Sequence, residues 1–199
     1  MLSSIRFRVL AALSFVVVTG AAQGQSGLDF NIGRVPWKVT VEHLNSSESD
    51  KSISLTTLEL SKPILLGKLV EPHLRFGLLV AQGSRTDYPS TGASTSSNAV
   101  GVIAGVGLRT KLLSQGQFVF GLDGTLQFEW SPGSPIPVGG TAVNGFARGG
   151  FFLAHRLPGG DRLEMIWRPY AHLSNGGEGG TRNPGWNGRG LGVSYRRAF

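Results

Sequence analysis

Alternation of apolar and polar residues with a period of two constrains this chain more than any other feature of its sequence. The clearest example runs from Gln117 to Trp130, where Phe, Leu and Trp share one face while Asp, Thr, Gln and Glu share the other. Successive side chains of a strand point to opposite faces, so this segment is predicted to be a β-strand with one apolar face. No segment beyond residue 24 has a convincing period of 3.6 residues, and the sequence therefore predicts an all-β protein.

Eight segments show this pattern, and most reach the about 9–11 residues that a tilted strand needs to cross a bilayer. An even number of antiparallel strands of this length is typical of a transmembrane β-barrel. The predicted strands cover residues 28–43, 51–60, 72–83, 98–112, 116–130, 141–157, 161–174 and 188–199.

The connections between these strands fall into two groups. Short and long connections alternate in outer-membrane barrels, with the short turns on the periplasmic side and the long loops outside. The stretch over 62–71 is longer than a tight turn should be and is the exception to this pattern. The short connections lie at 114–116 and 158–160, and the long ones at 84–97, 131–140 and 175–187.

The first 24 residues are predicted to be a cleaved signal peptide rather than part of the fold. Arg6 and Arg8 form a short basic region, and the apolar run from Val9 to Val18 is too short to span a bilayer as a helix. Ala22-Gln23-Gly24 places small residues at a plausible cleavage site. We therefore expect an exported chain whose barrel domain covers residues 25–199.

Charge and composition narrow the classes of partner. The chain has a formal net charge of +7, which becomes +5 without Arg6 and Arg8, and such a basic surface favours anionic partners. An exported destination argues against nucleic acid. The chain contains no cysteine, and it has neither an H-x-x-x-H spacing nor an acidic cluster, so we expect no disulfide, metal or other cofactor.

The strand pattern alone does not separate a membrane barrel from a soluble β-sandwich. A sandwich would bury the apolar faces, whereas a barrel would turn them toward lipid. The predicted signal peptide, the even strand count and the terminal aromatic Phe199 together favour the barrel. A soluble periplasmic sandwich that binds a ligand remains the alternative.

His172 and Ser174 form a candidate catalytic pair at the end of the seventh predicted strand. Residues i and i+2 of a strand point to the same face, so the imidazole lies within reach of the hydroxyl. Serine becomes a good nucleophile only when a base takes its proton, and histidine titrates close to neutral pH. An H-x-S sequence is also common by chance, and the neighbouring glycines can be plain turn residues.

The wider sequence is more specific than the pair. H-L-S-N-G-G at 172–177, then N-P-G-W-N at 183–187 and a final strand that ends on an aromatic residue resemble the lipid A 3-O-deacylase (PagL-type) family. The resemblance covers about thirty residues. It implies an eight-stranded outer-membrane barrel that hydrolyses the ester-linked acyl chain at the 3 position of lipid A. It also implies that Ser174 is the nucleophile and His172 the general base, and that Asn175 helps the oxyanion site or shapes the turn.

The position of the family's acid is occupied differently here. The resemblance places that acid two residues after the glycine of N-x-G, where this chain has Asn187. Asparagine orients a histidine in Cys-His-Asn proteases, although it cannot stabilise the imidazolium by charge. Glu178, in the loop between the last two strands, is the alternative acid. We favour Asn187, because its parity matches the apolar residues of the last strand.

Parity raises a difficulty for the pair itself. With unbroken alternation His172 and Ser174 would share the polar face of Glu164, which points into the lumen. A β-bulge at Pro169 would shift the alternation and turn the pair outward, because proline inside a strand favours bulges and edges. The sequence leaves both orientations open.

The resemblance implies a carboxylic ester hydrolase of the bacterial outer membrane that modifies lipopolysaccharide. The expected partners are lipid A within lipopolysaccharide and the other outer-membrane lipids, and a homodimer is left open. The alternative is a catalytically impaired or non-enzymatic barrel of the same family, with a structural or surface-binding role. The asparagine at the acid position favours that alternative.

Overall fold

The computed structural model describes residues 37–64, 69–86, 94–174 and 185–197. These residues form nine strands and no helix, so none of them belongs to a helix able to cross a membrane. The strands are β1 (Lys38–Ser46), β2 (Lys51–Pro63), β3 (Val70–Thr86), β4 (Ser94–Ser96), β5 (Ala99–Gln115), β6 (Phe118–Trp130), β7 (Val143–Arg156), β8 (Arg162–Ser174) and β9 (Trp186–Arg196).

Eight of the strands close into an antiparallel barrel. Each long strand pairs with its neighbours along the chain, β3 pairs with β5 across the short β4, and β1 pairs with β9 to complete the cylinder. The three-residue β4 pairs only with the end of β3 and extends that hairpin beyond the barrel. The predicted eight-stranded barrel is therefore confirmed, and the sandwich alternative is wrong because closure leaves no second sheet.

The polarity of the barrel is the reverse of that of a soluble protein. On β6, Asp123, Gln127 and Glu129 point into the lumen and are buried, whereas Phe128 points outward and is 74% exposed. The other strands repeat this arrangement with rows of exposed Val, Leu, Phe and Trp. An apolar outer wall around a polar interior is the arrangement that a lipid bilayer requires of a spanning barrel.

Ion pairs between buried side chains fill the middle of the lumen. Arg148 Nη1 lies 2.6 Å from both Glu42 Oε2 and Glu59 Oε1. Arg168 Nη2 lies 2.7 Å from Glu42 Oε1 and 2.6 Å from Asp123 Oδ1. Glu42, Glu59 and Asp123 thus each have a guanidinium partner, which offsets the cost of burying their charges. The same network includes Lys38, Arg75, Arg109 and Glu164.

Apolar layers close the lumen on either side of this network. Toward the end that carries the connection between β6 and β7, Leu44, Phe146, Leu173 and Trp186 pack together with Ile136 of that connection. A smaller cluster lies toward the opposite end and consists of Phe152, Ala154 and Ile166. In the described residues, the lumen is therefore lined by buried apolar layers on either side of a layer of ion pairs.

The observed strands differ from the predicted ones mainly at their ends. β1 extends to Ser46 rather than ending at residue 43, and its predicted first part, 28–36, lies outside the described residues together with the predicted signal peptide. The connection between β2 and β3 spans only residues 64–69, because both strands continue further than their alternation indicated. The predicted loop over 84–97 contains the end of β3 and all of β4.

We predict that Arg148→Met strongly destabilises the barrel. The substitution leaves Glu42 and Glu59 buried with one fewer cation, and breaking a buried ion pair typically costs about 3–5 kcal/mol. The measurement is urea unfolding of the barrel refolded in detergent micelles. Arg156→Met is the matched control, because Arg156 lies on the same strand and is exposed. Equal unfolding midpoints for the two variants would contradict a stabilising role for the network.

Candidate active site

A β-bulge in β8 decides which way the candidate pair faces. From Arg168 to Ala171, β8 advances three positions while β9 advances two, from Gly190 to Gly188. The pairing with β7 shifts at the same place. One extra residue therefore interrupts the alternation, and the segment contains Pro169, which has no N–H to donate to a neighbouring strand.

The bulge turns His172 and Ser174 toward the outside of the barrel. Beyond it, Ala171 and Leu173 are fully buried in the lumen, while His172 and Ser174 are half-buried on the outer wall. Tyr170 lies on the same side, with its ring stacked near that of His172 at a centroid separation of 6.5 Å and an angle of 23°. Of the two orientations that the sequence leaves open, the structure therefore has the outward one.

Asn187 contacts the imidazole directly. His172 and Asn187 are paired across β8 and β9, and His172 Nδ1 lies 2.7 Å from Asn187 Oδ1. The next register pair, Leu173 and Trp186, points into the lumen and is fully buried. Because Trp186 packs in the interior, its neighbour Asn187 must face outward, toward the histidine.

Glycines on both sides of the asparagine make this packing possible. A Cβ added to Gly188 would approach the Trp186 ring to 2.2 Å and the Asn45 carbonyl oxygen to 2.6 Å. A Cβ added to Gly185 would lie 3.3 Å from His172 Cε1 and 3.9 Å from Ser174 Cβ. Gly185 therefore borders both members of the pair, and a side chain at this position would crowd the imidazole.

Glu48 is a contact of the site that the sequence reasoning missed. Its carboxylate accepts hydrogen bonds from Asn187 Nδ2 at 3.1 Å and from the Asn187 backbone N–H at 2.8 Å. Glu48 lies in the turn between β1 and β2, and it reaches Asn187 only because β1 closes the barrel against β9. No local sequence signal links two residues so far apart along the chain.

A shallow trough floored by small residues runs along β7 beside the pair. Gly145, Ala147 and Gly149 face outward and are register partners of Ser174, His172 and Tyr170. A Cβ added to Gly149 would meet nothing within 4 Å. Phe128 and Leu126 of β6 form the opposite wall of this trough.

An apolar concavity of about 450 Å³ lies lower on the outer wall, where the trough reaches Phe151. It does not include the candidate pair or Asn187, so it is not the reactive centre. Its lining includes Val41, Phe120, Phe151, Met165, Trp167 and Leu191.

Three other residues singled out from the sequence are not part of the described structure. Asn175 and Glu178 lie outside the described residues, and so does Phe199. Their predicted roles therefore stay predictions. Among the residues that the structure does describe, no group of three or more His, Cys, Asp or Glu side chains could hold a metal ion.

Comparisons with known proteins give a distant structural likeness and no sequence match. No protein family and no curated protein matches this chain by sequence. A solved structure, the beta domain of the Bordetella autotransporter BrkA, is similar to 83% of this chain and 99% of its own, with 11% sequence identity and a TM-score of 0.32. A likeness this distant carries no information on the site.

We predict that single cysteines will report the orientation of β8 beyond the bulge. The natural chain has no cysteine, so each introduced thiol is the sole target for labelling. In proteoliposomes, His172→Cys and Ser174→Cys should react with a lipid-soluble maleimide, whereas Ala171→Cys and Leu173→Cys should stay protected in the lumen. The reverse pattern would mean that β8 alternates without a bulge.

Proposed function

We propose that this protein is an outer-membrane serine esterase that removes the ester-linked acyl chain at the 3 position of lipid A. The observation that carries the proposal is the hydrogen bond of 2.7 Å from His172 Nδ1 to Asn187 Oδ1, on the outer wall of the barrel beside Ser174. A serine, a histidine and a residue that orients the histidine are the parts of a nucleophilic hydrolase site.

The proposed reaction proceeds in two steps. Ser174 Oγ attacks the ester carbonyl while His172 takes its proton, and the histidine then passes the proton to the departing hydroxyl of the sugar. Water, activated by the same imidazole, attacks the acyl-enzyme and releases the fatty acid. Because Asn187 Oδ1 accepts from Nδ1, the other ring nitrogen, Nε2, has its lone pair available as the base.

The surroundings of the site support a lipid substrate. The hydroxyl and imidazole lie on a wall that faces lipid, so a membrane-embedded ester can reach them without entering the lumen. The trough over Gly145, Ala147 and Gly149 offers a path for an acyl chain that begins beside Ser174. Arg189 is exposed two residues beyond Asn187 on β9, on the same outer face, where a cation can meet an anionic headgroup.

A second candidate function is a non-enzymatic barrel with a structural or surface-binding role. The observation that favours it is the neutral amide at position 187, where the resembled family has an acid. An amide fixes the orientation of the imidazole but does not stabilise its charged form. Such a barrel would leave lipid A unchanged.

We predict that expression of this protein in a Gram-negative host removes one hydroxyacyl chain from lipid A, and that Ser174→Ala abolishes the change. Without its nucleophile the site cannot form the acyl-enzyme. Mass spectrometry of the extracted lipid A measures the loss. Ser54→Ala is the matched control, because Ser54 also faces outward and lies on β2, which β1 and β9 separate from β8. Unchanged lipid A with wild type and control alike would favour the non-enzymatic barrel.

We also predict that Gly149→Leu impairs hydrolysis of long-chain esters more than that of short-chain esters. Gly149 does not adopt a left-handed backbone conformation, and a Cβ there meets nothing, so the leucine fills the trough without strain. Losing the burial of two or three methylenes, at about 0.8 kcal/mol each, lowers kcat/KM about fifteenfold to sixtyfold.

The control for this variant is Ala104→Leu, which places the same leucine side chain on the outward face of β5. It should hydrolyse esters of every chain length like the wild type. If Gly149→Leu reduces the rates for short and long esters equally, the acyl chain does not lie along β7.

A further inference from the structure

We propose that Glu48 is a positioning residue of the site: acting through Asn187, its carboxylate fixes the imidazole of His172 and supplies the negative charge that the amide lacks. The inference rests on the proposed function for its catalytic meaning. It assigns to the turn between β1 and β2 a part of the reactive centre, far in sequence from the segment that carries the family resemblance.

Several hydrogen bonds hold this turn against Asn187. The Ser47 backbone N–H donates to the Asn187 carbonyl oxygen at 2.9 Å, and Ser46 Oγ donates to the same oxygen at 3.4 Å. Ser46 Oγ in turn accepts the Glu48 backbone N–H at 3.2 Å. These hydrogen bonds fix the turn against Asn187, and the fixed turn positions the carboxylate of Glu48 beside it.

The carboxylate determines how the amide of Asn187 is oriented. An ionised carboxylate only accepts hydrogen bonds, so the amide must present its NH2 group to Glu48 and its oxygen to His172. That oxygen requires a donor, and Nδ1 of His172 must therefore carry a proton. The consequence is a single tautomer with an unprotonated Nε2, which is the form that a general base needs.

Glu48 shares its cationic neighbour Lys51 with a second carboxylate. Lys51 Nζ lies 3.0 Å from Glu48 Oε1 and 3.2 Å from Asp50 Oδ2, so one cation serves two carboxylates. The Glu48 side chain is only 25% exposed, which limits screening by water. When His172 takes a proton, the imidazolium faces an amide dipole that is itself polarised by a carboxylate.

The first test compares Glu48→Gln with Asp50→Asn in the purified barrel. Both variants remove one negative charge beside Lys51, but only Glu48 contacts Asn187. We expect Glu48→Gln to lower kcat for ester hydrolysis about tenfold to a hundredfold, the range for a lost hydrogen bond to a charged group, with KM nearly unchanged. Asp50→Asn should behave like the wild type. Equal activity of the two variants would overturn the proposal.

A double variant that exchanges the acid and the amide between positions 48 and 187 tests whether Glu48 acts through its charge or only by holding the turn in place. Asn187→Asp alone sets two carboxylates against each other and should be impaired. In Glu48→Gln combined with Asn187→Asp, the carboxylate at 187 accepts from His172, while the glutamine donates its NH2 to it and accepts the backbone N–H. We expect the kcat of this double variant to be at least as high as that of the wild type. Failure to recover would mean that Glu48 only supports the turn.

A readout independent of turnover keeps this inference distinct from the proposed function. In ¹⁵N-histidine-labelled protein, with the His172 signal assigned by His172→Gln, the ring nitrogen shifts should report the Nδ1–H tautomer. Glu48→Gln should shift them toward a mixture, and Asp50→Asn should not. Wild-type protein without esterase activity would refute the proposed function alone. An unchanged tautomer in Glu48→Gln would refute the positioning role even in an active enzyme.

Discussion

The pairing of β1 with β9 is the interaction on which the rest of this molecule depends. Within a bilayer no water is available to satisfy a free strand edge, so a spanning sheet must bond its first strand to its last. Here that ladder runs from Lys38 and Arg196 to Ser46 and Gly188. The same closure carries the turn after β1 to the start of β9, which puts Glu48 beside Asn187. A requirement of the fold thereby builds part of the candidate site.

Closure also explains why the interior can hold so many charges. Arg148 and Arg168 share Glu42, and Arg168 also contacts Asp123, so strands on opposite sides of the cylinder are joined through the lumen. Pairs such as these tolerate burial only when each charge has close partners, and the rigid wall fixes the partners in place. Because the described interior is filled by these pairs and by apolar side chains, the proposed lipid substrate is placed on the outer wall.

The sequence predicted the barrel well because a period of two is a local signal that survives in every strand. The strand count and the outward faces of β3, β5, β6 and β9 follow from it. The orientation of His172 does not follow from the alternation. Alternation counted from Glu164 fails at a single inserted residue, and a proline indicates only where such a residue is favoured. Glu48 was not predictable at all, since its contact depends on the register of two strands from opposite ends of the chain.

The bulge in β8 determines which residues of this strand face the lumen and which face the lipid. In the observed register Leu173 lies opposite Trp186 inside the lumen. If β8 alternated without the extra residue between Arg168 and Ala171, His172 and Ser174 would point into that lumen, which apolar side chains already fill. One inserted residue leaves the ionic layer below it intact, with Arg168 still facing Glu42, and moves the pair to the lipid side. The barrel core and the outward site can coexist on one strand only because alternation is broken between them.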